Sequence, residues 1–186
     1  ITTAVVSYDL CPTIDLDGIV SEIHRSLVWI YENIKTYNGN PDNIFISGSS
    51  AGAHLCAMML GMDWGTQSRP ANLIKGSVLI TGIYDILPVL EISVNNDIRL
   101  NHDAAVRNSP LHKPPRNNGP LVAIFGGDEA EGWKQESMKY AGMCNANRIK
   151  CELTEIDDQN HFSLGTLLGD ESSLLVKTIL EQVRST

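Results

Sequence analysis

Positive charge is scarce in this chain. Its 14 Lys and Arg stand against 22 Asp and Glu, a formal net charge of −8 over 186 residues. The cations are scattered, and phosphate recognition needs them clustered, which excludes a nucleic acid or an anionic membrane surface as partner. No apolar run approaches the roughly 18–20 residues of a membrane span, and no charged-then-apolar leader is visible, so the chain reads as soluble. The four cysteines, Cys11, Cys56, Cys144 and Cys151, form no C-x-x-C pair, and there is no usable glycosylation sequon. That pattern excludes a disulfide scaffold or a zinc site and fits a reduced, cytoplasmic protein. Repeats and low-complexity segments are lacking; the Pro- and Asn-rich stretch 111–120 reads as a loop within one domain. What is present is a 42% hydrophobic, 19% charged composition with mean hydropathy −0.08, enough to bury a core.

Along the chain, Ile1 to Val6 reads as a buried strand with no polar lead-in, and this abrupt start predicts further chain upstream. Leu16, Ile19, Val20, Ile23, Leu27, Ile30 and Ile34 recur at helical spacing behind Asp15 and Asp17, whose charge suits a helix N-terminus. Asn38-Gly39-Asn40-Pro41 ends that helix. Ile44-Phe45-Ile46, Val78-Leu79-Ile80 and Leu121 to Phe125 are short apolar strands, with Cys151 to Asp157 a last one. Helices are predicted from Ala51 to about Met62, from Lys134 to Asn147, and over most of Leu164 to Val183. Short continuous strands alternating with helices predict an α/β class, a mostly parallel sheet covered on both faces.

The chemistry begins at Gly48-Ser49-Ser50-Ala51-Gly52, a G-x-S-x-G pattern between a predicted strand and a predicted helix. Such a turn is sharp enough to demand tiny flanking residues. It lifts Ser50 Oγ off the sheet as a nucleophile, and the next backbone N–H, that of Ala51, is offered to a developing oxyanion. Five small residues also make an ordinary tight turn or a phosphate-binding loop, so partners must be found. A serine hydroxyl needs an imidazole to take its proton and an acid to hold that imidazole. His161 follows the last strand, just before the C-terminal helix, and is the candidate base. His24 and His54 sit inside predicted helices, and His102 and His112 lie between the Val78 and Leu121 strands; His54 is placed to support the elbow. The acid is sought at Gly126-Gly127-Asp128-Glu129, where two glycines turn the chain after a strand and spacing alone does not choose between Asp128 and Glu129.

The stretches Tyr8-Asp9-Leu10-Cys11-Pro12, Trp29-Ile30, Pro41-Asp42-Asn43-Ile44 and Ser47 to Leu55 resemble the hormone-sensitive-lipase-like branch of the α/β-hydrolases. Within that branch, Thr81 to Ile86, Asn96, Leu100, Ser109-Pro110, Gly126 to Glu129, Trp133, Ser137 and His161-Phe162 follow in order the pattern of kynurenine formamidases (arylformamidases). The resemblance covers nearly the whole chain. It implies an acid four residues before an aromatic and eight before a serine; counting back from Trp133 and Ser137 gives Glu129, whereas broader esterase patterns favour Asp128. It also implies an His-Gly-Gly oxyanion loop and a strand between Ile1–Val6 and the elbow strand, neither of which occurs in the 186 residues. The expectation is therefore the C-terminal part, residues 1–186, of a single α/β-hydrolase catalytic domain whose N-terminal strands are missing.

The resulting expectation is a serine hydrolase acting on a small-molecule formamide or ester, by resemblance N-formylkynurenine, releasing kynurenine and formate. Catalytic residues would be Ser50, His161 and Glu129 or Asp128, with Ala51 N–H in the oxyanion hole. No metal or organic cofactor is implied, and a homodimer is compatible with the reading. A general carboxylesterase on short acyl esters is the rival within enzymes, and a non-catalytic hydrolase-fold binding protein the rival outside them.

Overall fold

The computed structural model of the chain describes residues 1–116 and 119–184. Four strands, β1 (Ile44–Ser49), β2 (Ile74–Ile80), β3 (Leu121–Gly126) and β4 (Cys151–Ile156), form one sheet in the order β1-β2-β3-β4. Every neighbouring pair is parallel. Helices α1 (Leu16–Asn33), α2 (Ala51–Leu60), α3 (Asn95–Ile98), α4 (His102–Arg107), α5 (Glu131–Ala146), α6 (Ser163–Thr166) and α7 (Leu174–Arg184) make the connections, with several short 3-10 turns.

The two central strands show why both faces must be covered. Successive side chains of a strand point to opposite faces. Leu79, Leu121 and Ala123 pack into one core with α1, α2 and α5. Val78, Ile80, Val122 and Ile124, one residue out of phase, pack into a second core with Leu164 and Leu175. This is the α/β layering that the alternating apolar runs predict. Helix α1 begins where expected, because the Asp15 carboxylate accepts the Gly18 N–H as an N-cap. It ends at Asn33 and passes into a 3-10 turn, Ile34–Tyr37, closed by the Gly39 N–H donating to the Ile34 carbonyl.

One sequence expectation is corrected. Ile1 to Val6 forms no strand: no described strand pairs with it, and Ile1 and Val5 are 80% and 93% exposed. An apolar run becomes a strand only when a neighbour satisfies its N–H and C=O groups. Here the side-chain hydroxyl of Thr2 tethers it to the Tyr37 and Asn38 carbonyls instead. Opposite this segment, the outer edge of β1 borders an apolar groove of about 910 Å³, with Ile23, Leu27 and Ile30 of α1 on its wall. Leu164 to Val183 is mostly helical, as expected, with one break. Asp170 accepts from the Ser172 N–H and hydroxyl, and the Ser173 hydroxyl oxygen accepts the Val176 N–H, so a turn and a fresh helix start replace a continuous helix. Among the described residues, no helix is long and apolar enough to cross a membrane.

Candidate active site

The C-terminal ends of β1, β2, β3 and β4 lie side by side, and each delivers one polar side chain. Ser50 stands between β1 and α2 with φ 55° and ψ −116°, a left-handed conformation that non-glycine residues rarely adopt. The turn is tight: a Cβ on Gly48 would lie 2.4 Å from the Gly52 carbonyl carbon. Backbone bonds fix it on both sides, Ser50 N–H to the Ile80 carbonyl at 2.9 Å and His54 N–H to the Ser50 carbonyl at 3.1 Å. The Ser50 hydroxyl does not cap α2 and is free to face His161, with 3.1 Å between Oγ and Nε2.

His161 is carried by the turn after β4. Asn160 Oδ1 accepts the N–H groups of Phe162 and Ser163, and this local turn presents the imidazole. The loop after β3 approaches so closely that a Cβ on Gly126 would lie 2.1 Å from the Gln159 carbonyl oxygen. That closeness lets Glu129 Oε1 accept the His161 Nδ1–H at 2.8 Å, while its Oε2 accepts the Gly126 N–H at 2.9 Å. The Glu129 side chain is fully buried, and these donors replace the water it has lost. Because a carboxylate can only accept, Nδ1 carries the proton and Nε2 is left with its lone pair toward Ser50. The arrangement can move a proton from Ser50 Oγ to His161 and hold the resulting imidazolium beside a buried negative charge.

Of the two acids left open by spacing, Glu129 meets His161. Asp128 is exposed, its backbone N–H bonded to the Gln159 carbonyl at 2.9 Å. Ala51 opens α2, so its N–H belongs to the first turn, whose donors lack helical partners. His54 is buried and away from this relay: its Nε2–H donates to the Asn108 carbonyl at 2.8 Å. His24 stacks on Trp64 at 5.0 Å. Two aromatic rings flank His161, Trp133 at 4.0 Å between centroids and Phe162 edge-on at 5.6 Å, the latter 85% exposed.

Sequence reasoning missed Thr81 as a participant. It is fully buried directly after β2; its hydroxyl donates to Glu129 Oε1 and lies 3.0 Å from His161 Nδ1. The available signal was its place, a polar residue closing an apolar strand at the strand end where open α/β sheets build their sites. Among the described residues, no group of three His, Cys, Asp or Glu side chains converges as a metal site would require.

The chain is 34% identical over 184 residues to kynurenine formamidase of Danio rerio, covering 96% of this chain and 61% of that protein. It is 31% identical over 189 residues to kynurenine formamidase of Salmo salar, with 98% and 63% covered. It thus spans less than two thirds of the length of either relative. Among solved structures, a Silicibacter protein described as a candidate thioesterase superposes with a TM-score of 0.78 at 25% identity, covering 94% of this chain and 62% of that one. The family model described as alpha/beta hydrolase fold matches residues 1–164. With a parallel sheet whose first strand ends in the Ser50 turn, that match over most of its length means that this chain belongs to the alpha/beta hydrolase fold family.

Proposed function

We propose that the protein is a serine hydrolase that cleaves N-formylkynurenine to kynurenine and formate. The observation that carries this reading is the hydrogen-bonded relay Ser50 Oγ, His161 Nε2, His161 Nδ1, Glu129 Oε1, at 3.1 Å and 2.8 Å. Ser50 Oγ attacks the formyl carbon as its proton passes to His161, and the Ala51 N–H stabilises the oxyanion. His161 then gives that proton to the departing aryl amine, leaving a formyl ester on Ser50. Water, deprotonated by His161, hydrolyses the ester and restores the serine. Glu129 holds the ring in one tautomer throughout and offsets the imidazolium charge.

Two observations favour the formamidase reading over a plain esterase. The Danio and Salmo relatives carry that name over nearly all of this chain. The Trp133 and Phe162 rings beside His161 also offer an apolar wall on which an aromatic leaving group can spend binding energy to position its carbonyl.

The test is kcat/KM of the full-length protein for N-formylkynurenine beside p-nitrophenyl acetate and butyrate. A clear preference for the formamide, abolished by at least about 10³-fold in Ser50→Ala, is expected. Equal or better turnover of butyrate with little formamide cleavage would leave an esterase. No turnover of any of the three would leave a binding protein.

A further inference from the structure

Thr81 is hard to explain by local chain preference. Its φ of 43° lies in the left-handed region, costly for a β-branched residue, although Gly82, the type of residue suited to it, is next in sequence. The structure holds it there from several directions. Its N–H donates to the Ile124 carbonyl at 2.7 Å, extending the β2 ladder onto β3. Its side chain, fully buried, reaches the two groups that matter most to the proposed reaction. Backbone strain of this kind persists where the surroundings over-determine it, and it gathers at functional sites.

The proton count defines what the hydroxyl does. Thr81 has one O–H and Glu129 has none, so Oγ1 donates to Glu129 Oε1. The His161 Nδ1–H then faces two acceptors, Oε1 at 2.8 Å and Oγ1 at 3.0 Å. A third bond, from the Gly126 N–H to Oε2, pins the other carboxylate oxygen. Glu129 is a flexible side chain; with both oxygens held it has one orientation, and the imidazole plane is set by a pair of acceptors on two different strand ends.

We propose that Thr81 is a positioning residue of the relay, whose hydroxyl fixes the Glu129 carboxylate and the His161 ring so that Nε2 faces Ser50. This rests on the serine-hydrolase reading above and adds a fourth member to it. The hydroxyl is fully buried against Glu129 and His161, so its loss acts on the chemical step and leaves substrate binding alone.

The experiment compares Thr81→Val and Thr81→Ser with the wild type in the full-length protein, using p-nitrophenyl acetate, with Ser50→Ala as the blank. Valine keeps the shape and deletes the hydroxyl; serine keeps the hydroxyl. Expected is a kcat reduced roughly 10- to 100-fold in Thr81→Val with KM within about twofold, and recovery to within about threefold of wild type in Thr81→Ser. The downfield proton NMR resonance of the His161 Nδ1–H should shift in Thr81→Val and return in Thr81→Ser. If valine prevents folding, Thr81→Gly, which relaxes the backbone and also lacks the hydroxyl, is measured against serine in the same way. Wild-type kcat in the hydroxyl-free variant, or equal impairment in the serine variant, overturns the role of Thr81. Wild-type turnover that does not depend on Ser50 overturns the hydrolase reading itself, and the Thr81 role with it.

Discussion

The two glycines of the Ser50 turn face different surroundings. A Cβ at position 48 would lie 2.4 Å from the backbone of Gly52, whereas one at position 52 meets no described heavy atom within 4 Å. Gly48→Ala must therefore push β1 away from α2 and should lower stability by about 1–3 kcal/mol or more, read as a drop in Tm, with loss of turnover. Gly52→Ala should leave Tm within a few degrees of wild type. The G-x-S-x-G pattern alone treats both positions as equally small. The same limit shows elsewhere at this scale. Ser50 and His161 were legible because an unusual turn and a chain order point to them, and Glu129 only as one of two adjacent acids. For Thr81 the sequence offers only its place at the end of an apolar strand; that its hydroxyl joins two loops takes the parallel register that sets β2 between β1 and β3.

Helix α2 carries the serine turn, and His54 ties it to α4. The imidazole donates to the Asn108 carbonyl, and Asn108 in turn donates to Asp17 of α1. Burial disfavours the charged ring and pushes its pKa down to about 4. The unfolded chain therefore binds a proton near pH 6.5 that the folded chain refuses until about pH 4. The resulting stability is complete above pH 6.5 and is lost as pH falls toward 4, by up to about 3 kcal/mol. Thermal unfolding of the wild type should steepen its decline over that window, and His54→Gln should show a flatter profile there. On the opposite face, Leu175 of α7 is fully buried in the core that holds Val78 and Ile80 of β2 and Val122 and Ile124 of β3. Leu175→Ala should cost about 2–5 kcal/mol in chemical denaturation while leaving the Ser50 to His161 distance unchanged. Helices α1, α2 and α5 and all four paired strands follow from periodicity within a few residues, whereas the break at Asp170 to Ser173 came from side-chain to backbone bonds that a hydrophobic pattern does not encode.

Across the whole molecule, the sheet is asymmetric at its edges. β4 protects its outer side with exposed Glu152 and Glu155, charges that discourage edge-to-edge pairing. β1 has no such guard: Phe45 and Ile46 are half-buried beside the apolar groove, facing the unpaired Ile1 to Val6. A preparation of residues 1–186 should therefore bind the dye ANS and self-associate as concentration rises. A monomeric and dye-silent preparation would contradict this. The apolar run Ile1 to Val6 reads as a buried strand and is instead exposed and unpaired, because an apolar pattern does not itself supply the neighbour that a strand needs.

The four strands also lie in the sheet in the order in which they occur along the chain, so a ribosome delivers them in the order in which they pair. Ser50, Thr81 and Glu129 emerge first, and the base arrives last, 111 residues after the serine. At a synthesis rate of about 5–20 residues per second, the nascent chain carries the serine without its imidazole for roughly 5–20 seconds. Until His161 clears the exit tunnel the proposed relay lacks its base, so on that reading the chain order keeps an incomplete polypeptide from acting on its surroundings.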